Sequence, residues 1–125
     1  MPRRTITFDT VRQIGLAFPG VEESTAFGSP ALKVKGKLLA CIPTHRSAEP
    51  GSLLVCVDFN DRAELLTGAP DTYYVTGHYV PHESILVRLS KVDRGALRDL
   101  LGMAYKFVTR KAAKRSLAHK HRRSP

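Results

Sequence analysis

The sequence predicts an α+β domain in two layers, with an antiparallel five-stranded sheet packed against helices in the order α-β(3)-α-β(2)-α. Apolar residues recur at helical spacing near both ends of the chain and with a period of two between them. The strand-like stretches are joined by short links, which suit antiparallel neighbours better than crossovers. The 125 residues fall within the single-domain range. With 42 % hydrophobic and 25 % charged residues, the composition argues against a disordered chain or a fibre.

Taken in order, Thr7 or Asp9 caps a first helix whose Phe8, Val11, Ile14 and Phe18 share a face, and Pro19-Gly20 stops it. Val21 to Gly28 reads as a connector ending in the turn signal Phe27-Gly28-Ser29-Pro30. Leu32 and Val34 alternate with Lys33 and Lys35, Gly36-Lys37 supplies a tight turn, and Leu38 to Ile42 runs back. A loop from Pro43 to Ser52 leads to a third strand, Leu53 to Asp58. Asn60 to Leu66 gives a short helix ending near Gly68 and Pro70. Thr72 to Val75 and Ser84 to Leu89 read as strands around a loop, Gly77 to Glu83. Asp93 caps a last helix whose Leu97, Leu100, Leu101, Ala104, Phe107 and Val108 form an apolar stripe, with helix-forming residues continuing to about Leu117. Residues 1–110 form the single domain, and residues 111–125 a basic helical extension and tail.

Charge is segregated. Of the net +9, almost all comes from residues 106–125, which hold eight Lys or Arg and no acid, against twelve basic and eleven acidic residues before them. A cationic helix end on a nearly neutral domain suits DNA or another polyanion, and it also suits a plain solvated helix end. Lys33, Lys35 and Lys37 share a strand face if the strand is regular, and Arg88 lies on the polar side of its own strand. Together with Lys106, Arg110, Lys111, Lys114 and Arg115 they outline a phosphate-binding surface. By the same parity Leu39 and Cys41 interrupt that face, so a helix or a second subunit would cover part of it. No apolar run approaches a membrane span, no secretory leader is evident, and two cysteines are too few for a disulfide framework; the expected compartment is the cytoplasm.

Catalytic chemistry has little to work with. Dinucleotide, Walker, zincin and nucleophile-elbow motifs are all missing from the sequence, and the expectation is no enzyme, no cofactor and no metal. His119-Lys120-His121 is a weak ligand set within a cationic segment. Pairing around the Pro43–Ser52 loop would set Cys41 opposite Cys56, most simply as two small apolar side chains. His78, Tyr79, His82 and Glu83 form the densest titratable cluster, with His78, Tyr79 and His82 marking a possible pocket.

The Phe18-Pro19-Gly20-Val21-Glu22-Glu23 segment, Phe27 to Val34, Gly36-Lys37, Gly77-His78-Tyr79, the Ile85–Leu89 strand and the Leu97–Tyr105 helix together resemble the MmcQ/YjbR family over residues 5–110. The resemblance implies the same element order and the family's description as predicted DNA-binding proteins with a double-wing motif, and it brings no catalytic set. Where many members carry a His-Trp pair, this chain has Glu83-Ser84. A similar fold also serves secretion chaperones. The leading expectation is a cytoplasmic protein binding DNA with low specificity. The alternative is a chaperone-like protein- or peptide-interaction module, monomeric or homodimeric, using an apolar patch around Leu39, Cys41 and Leu54. A small-molecule site is a third reading, and it requires His78, Tyr79 and His82 to converge on one concavity.

Overall fold

The computed structural model describes residues 6–123, with side chains described through residue 113. Three helices, α1 (Phe8–Gly15), α2 (Phe59–Gly68) and α3 (Arg94–Arg123), accompany six strands. These are β1 (Val21–Ala26), β2 (Ser29–Val34), β3 (Lys37–Cys41), β4 (Ser52–Cys56), β5 (Tyr73–Tyr74) and β6 (Ser84–Arg88). Every pairing is antiparallel, in the order β1-β2-β3-β4-β6-β5. The class is the expected α+β, with one strand more than expected.

The extra strand is β1, which the sequence presents as a connector. Only Val21 in it is fully buried, because an edge strand of Val-Glu-Glu-Ser-Thr-Ala has no apolar alternation to signal it. Its pairing with β2 is set by a two-residue turn, Phe27-Gly28, with φ of 55° and 79°. Two positive φ values in succession give the type I′ geometry that matches strand twist. The β2–β3 turn repeats this at Lys35-Gly36, with φ of 52° and 74°, one residue earlier than the expected Gly36-Lys37. Lys35 therefore sits on a hairpin tip and Lys37 opens β3, so the three lysines do not share a regular strand face.

A bulge corrects the parity of β3 as well. Leu32 pairs with Ala40 and Lys33 with Leu38, which leaves Leu39 as the extra residue. Leu39 and Ala40 both join the core cluster on the helix side, whereas Cys41 joins the cluster on the other face. Cys41 is opposite Leu54, not Cys56, and both cysteines are free thiols. The β3–β4 pairing is two residues out of the expected register because β3 ends one residue earlier and β4 starts one residue earlier, around a loop of unchanged length.

The core lies between the sheet and the helices. Val11 and Ile14 of α1 and Leu97, Leu100, Leu101, Ala104 and Val108 of α3 pack on Leu32, Val34, Leu53, Val55, Ile85 and Val87. Gly15 lets α1 approach closely, since a Cβ there would collide with Leu32 Cδ1. Asp93 caps α3 by accepting the Ala96 N–H at 2.8 Å, and the helix runs past its expected end near Leu117 to Arg123. Among the described residues no helix is long and apolar enough to cross a membrane.

Candidate functional site

The expected cationic surface is divided by the fold. Arg88 is engaged: its guanidinium meets Glu49 through Nε at 3.0 Å and Nη2 at 2.7 Å, donates to the Asp71 carbonyl at 3.0 Å, and lies over the Tyr74 ring. That corrects its assignment as a phosphate contact, because a two-pronged carboxylate pair occupies the donors a phosphate would use. Hydrogen bonding from Arg88 holds the Glu49 carboxyl below its ordinary range. Lys111 pairs with Glu83 at 2.9 Å, and Arg110 stands 3.7 Å from Asp58. Lys35 and Lys106 are exposed and Lys33 is half-buried opposite Glu22. Lys114 and Arg115 fall on α3, but their side chains lie outside the described residues, as do those of His119 and His121. Among the described residues no cluster of three His, Cys, Asp or Glu could hold a metal.

A cavity of about 820 Å³ opens on the sheet face away from the core. Leu38, Cys41, Leu54 and Cys56 line its floor, the 43–45 and 78–84 loops form its sides, and Phe107, Val108 and Lys111 of α3 reach one end. His78, Tyr79 and His82 all line it, so the third reading's geometric requirement is met. A residue the sequence did not single out, His45, stacks on His78 with ring centroids 3.6 Å apart and planes 6° from parallel, while Tyr79 stands edge-on to His78 at 4.8 Å.

Hydrogen bonds hold both loops. Arg62, also unforeseen, donates to the carbonyls of His82 at 2.8 Å, Val80 at 3.0 Å, Ser84 at 3.3 Å and Tyr79 at 3.5 Å. Ser47 Oγ bonds Thr76 Oγ1 at 2.7 Å, and the Tyr74 hydroxyl accepts the Glu49 N–H at 2.8 Å, tying the 43–51 loop to the β5 end. His45 Nδ1 accepts the Ser47 N–H at 3.1 Å. Desolvation, then His78 and Arg46 nearby, lower the His45 pKa, in keeping with a ring nitrogen committed as an acceptor. Burial pushes the Cys41 thiol up to about 11 and the Cys56 thiol up to about 12, so both line the cavity as neutral apolar groups rather than nucleophiles.

A family model described as YjbR matches residues 16–107, from the end of α1 to the middle of α3. The chain belongs to the YjbR family. Its fold is similar to the crystal structure of Deinococcus radiodurans protein DR2400, a DUF419 domain, with a TM-score of 0.70 and 24 % identity over 90 % of this chain and 85 % of that one. No curated protein matches it. In this YjbR protein the matched stretch contains the whole cavity wall except Val108 and Lys111. The residues missed from sequence, His45 and Arg62, act across 33 and 20 positions to His78 and His82 respectively. A sequence signal was available only for Phe27, a large aromatic where a type I′ turn favours Asn or Gly.

Proposed function

We propose that this YjbR-family protein binds DNA with low sequence specificity, through phosphate contacts made by the cationic part of α3. One observation carries the reading. The last buried apolar residue of α3 among the described side chains is Val108, whereas the helix continues to Arg123 with seven Lys or Arg from Arg110 onward and no acid. At a rise of about 1.5 Å per residue the stretch from Arg110 to Arg123 is about 21 Å long, somewhat over half a turn of duplex DNA. Lys35 and Lys106 add exposed charge on the domain, whereas Lys33 is half-buried opposite Glu22. No recognition-helix signature accompanies the charge, so backbone contacts and DNA shape would set any preference.

A chaperone-like or dimeric role through the sheet face has less to support it. Leu39 is buried on the helix side, and Cys41 and Leu54 are buried at the cavity floor, so they present no flat apolar patch. A binding role without catalysis, in a cytoplasm that keeps both cysteines reduced, completes the proposal.

The test is a salt titration of binding to a short labelled duplex. It compares the full chain with a variant carrying Gln at 114, 115, 120, 122 and 123. The full chain should bind at low salt with log affinity falling linearly in log salt, and the variant's slope should flatten by up to about 4. Equal affinity and slope for the two, or no binding by the full chain at low salt, would overturn the assignment.

A further inference from the structure

We infer that the cavity on the open sheet face is a binding site for a small aromatic acid, a flat apolar body carrying one carboxylate or sulfonate. Its volume of about 820 Å³ lies in the range of small-ligand sites, and its floor of Leu38, Cys41, Leu54 and Cys56 is apolar. At the opposite ends of that floor the chemistry differs, and the difference fixes the ligand's orientation.

One end is built for an anion. Ser84 lines the cavity while only 3 % exposed, and its hydroxyl, buried on the same sheet face as Leu86, has no hydrogen-bond partner among the described residues. A buried hydroxyl left unsatisfied is costly, so an orphan in the wall of a cavity points to a bound group that completes it once the wall gives slightly. Cys56 pairs with Ser84 across β4 and β6, and the antiparallel register brings the start of β3, with Lys37, to this same end. Lys111 arrives from α3. Glu83 is the one carboxylate among the described lining residues, and Lys111 already pairs with it at 2.9 Å. Lys37, which makes no ion pair among the described residues, therefore brings positive charge to this end of the cavity.

The other end is built for a ring. The 43–45 loop follows Cys41, and there the parallel imidazoles of His45 and His78 and the edge-on Tyr79 form a wall of planar groups. Phe27 stands at the mouth, 84 % exposed and at φ 55°. A bulky residue in the left-handed region is strained, and this one, so exposed, has little packing to offset the strain; such strain gathers at ligand clamps. A bound ring supplies the missing contact surface. A ligand spanning both ends must therefore be aromatic at one end and anionic at the other.

The experiment uses the full-length protein with two fluorescent probes of one shape, 8-anilinonaphthalene-1-sulfonate and its neutral analogue N-phenyl-1-naphthylamine. The sulfonate should bind saturably at one site per chain and about tenfold more tightly than the neutral probe, the margin expected of a charge-assisted contact. Lys37→Glu should remove that margin while leaving the neutral probe's affinity unchanged. Ser84→Ala should weaken sulfonate binding several-fold without lowering thermal stability, since its hydroxyl has no partner to lose. Amide shifts in the unmodified protein should cluster at 37–45, 77–85 and 107–111, which keeps the assignment testable if a variant misfolds. Non-saturable binding, equal affinity for the two probes, or shifts clustered elsewhere would sink it. DNA binding by α3 is read separately by its salt slope, so either result can fail alone.

Discussion

One guanidinium, that of Arg62, reaches four carbonyls of the 79–84 segment, and so holds the backbone that carries Tyr79 and His82. Arg88 does the same for the 45–49 loop through Glu49 and Tyr74, and by doing so it is withdrawn from any partner. Both are cations used as hydrogen-bond hubs, a role that net charge and spacing do not distinguish from phosphate binding. His45 gives this scale a pH dependence. Its folded pKa is lowered from 6.5, so the folded state takes up a proton less readily than the unfolded chain. The His45 contribution to stability is then complete above 6.5 and lost as pH falls through the lowered value, when the ring facing His78 becomes charged. An NMR titration of the imidazole carbon protons should place the His45 midpoint below 6.5. A midpoint at or above it would mean that the stack with His78 does not exclude the charged ring.

At the scale of elements, most of the fold was legible. α1, β2 and α3 carry a periodic apolar signal, α2 is announced by its capping residues and β5 by its aromatic and β-branched content, and the observed bounds differ from the expected ones by a few residues. Three features escaped for identifiable reasons. β1 is polar because it is an edge, the Leu39 bulge shifts a parity that assumes regular pleating, and the β2–β3 turn is centred on Lys35-Gly36 because Gly can take either turn position. The first hairpin supports a sharper expectation. Phe27→Asn would place Asn-Gly, the preferred type I′ pair, in a turn that already has that geometry. Stability should rise by about 1 kcal/mol in urea unfolding, because strain is relieved and little packing is lost. Affinity for the anilinonaphthalene probes should fall. An unchanged or lower stability would show that the Phe27 ring is anchored in the unliganded fold.

For the whole molecule, charge and core occupy different parts of α3. The last described core residue is Val108, and the cationic run follows it. Replacing the five cations at 114, 115, 120, 122 and 123 by Gln takes the formal net charge from +9 to +4. The melting temperature should stay the same or rise slightly, as self-repulsion falls while DNA binding weakens. A drop of several degrees would mean that those side chains hold the fold and that the DNA readout is confounded. The sequence by itself determined the α+β class, the long final helix and the separation of its cationic end from a nearly neutral domain, because periodicity and composition are local properties of the chain. The cavity was only half visible as His78, Tyr79 and His82. The tertiary structure alone decided that His45 stacks on His78, that Ser84 lines the cavity with a buried, unpartnered hydroxyl, and that Arg88 is spoken for by Glu49. Those facts depend on strand register and on contacts between residues tens of positions apart, which are set by packing the whole chain at once.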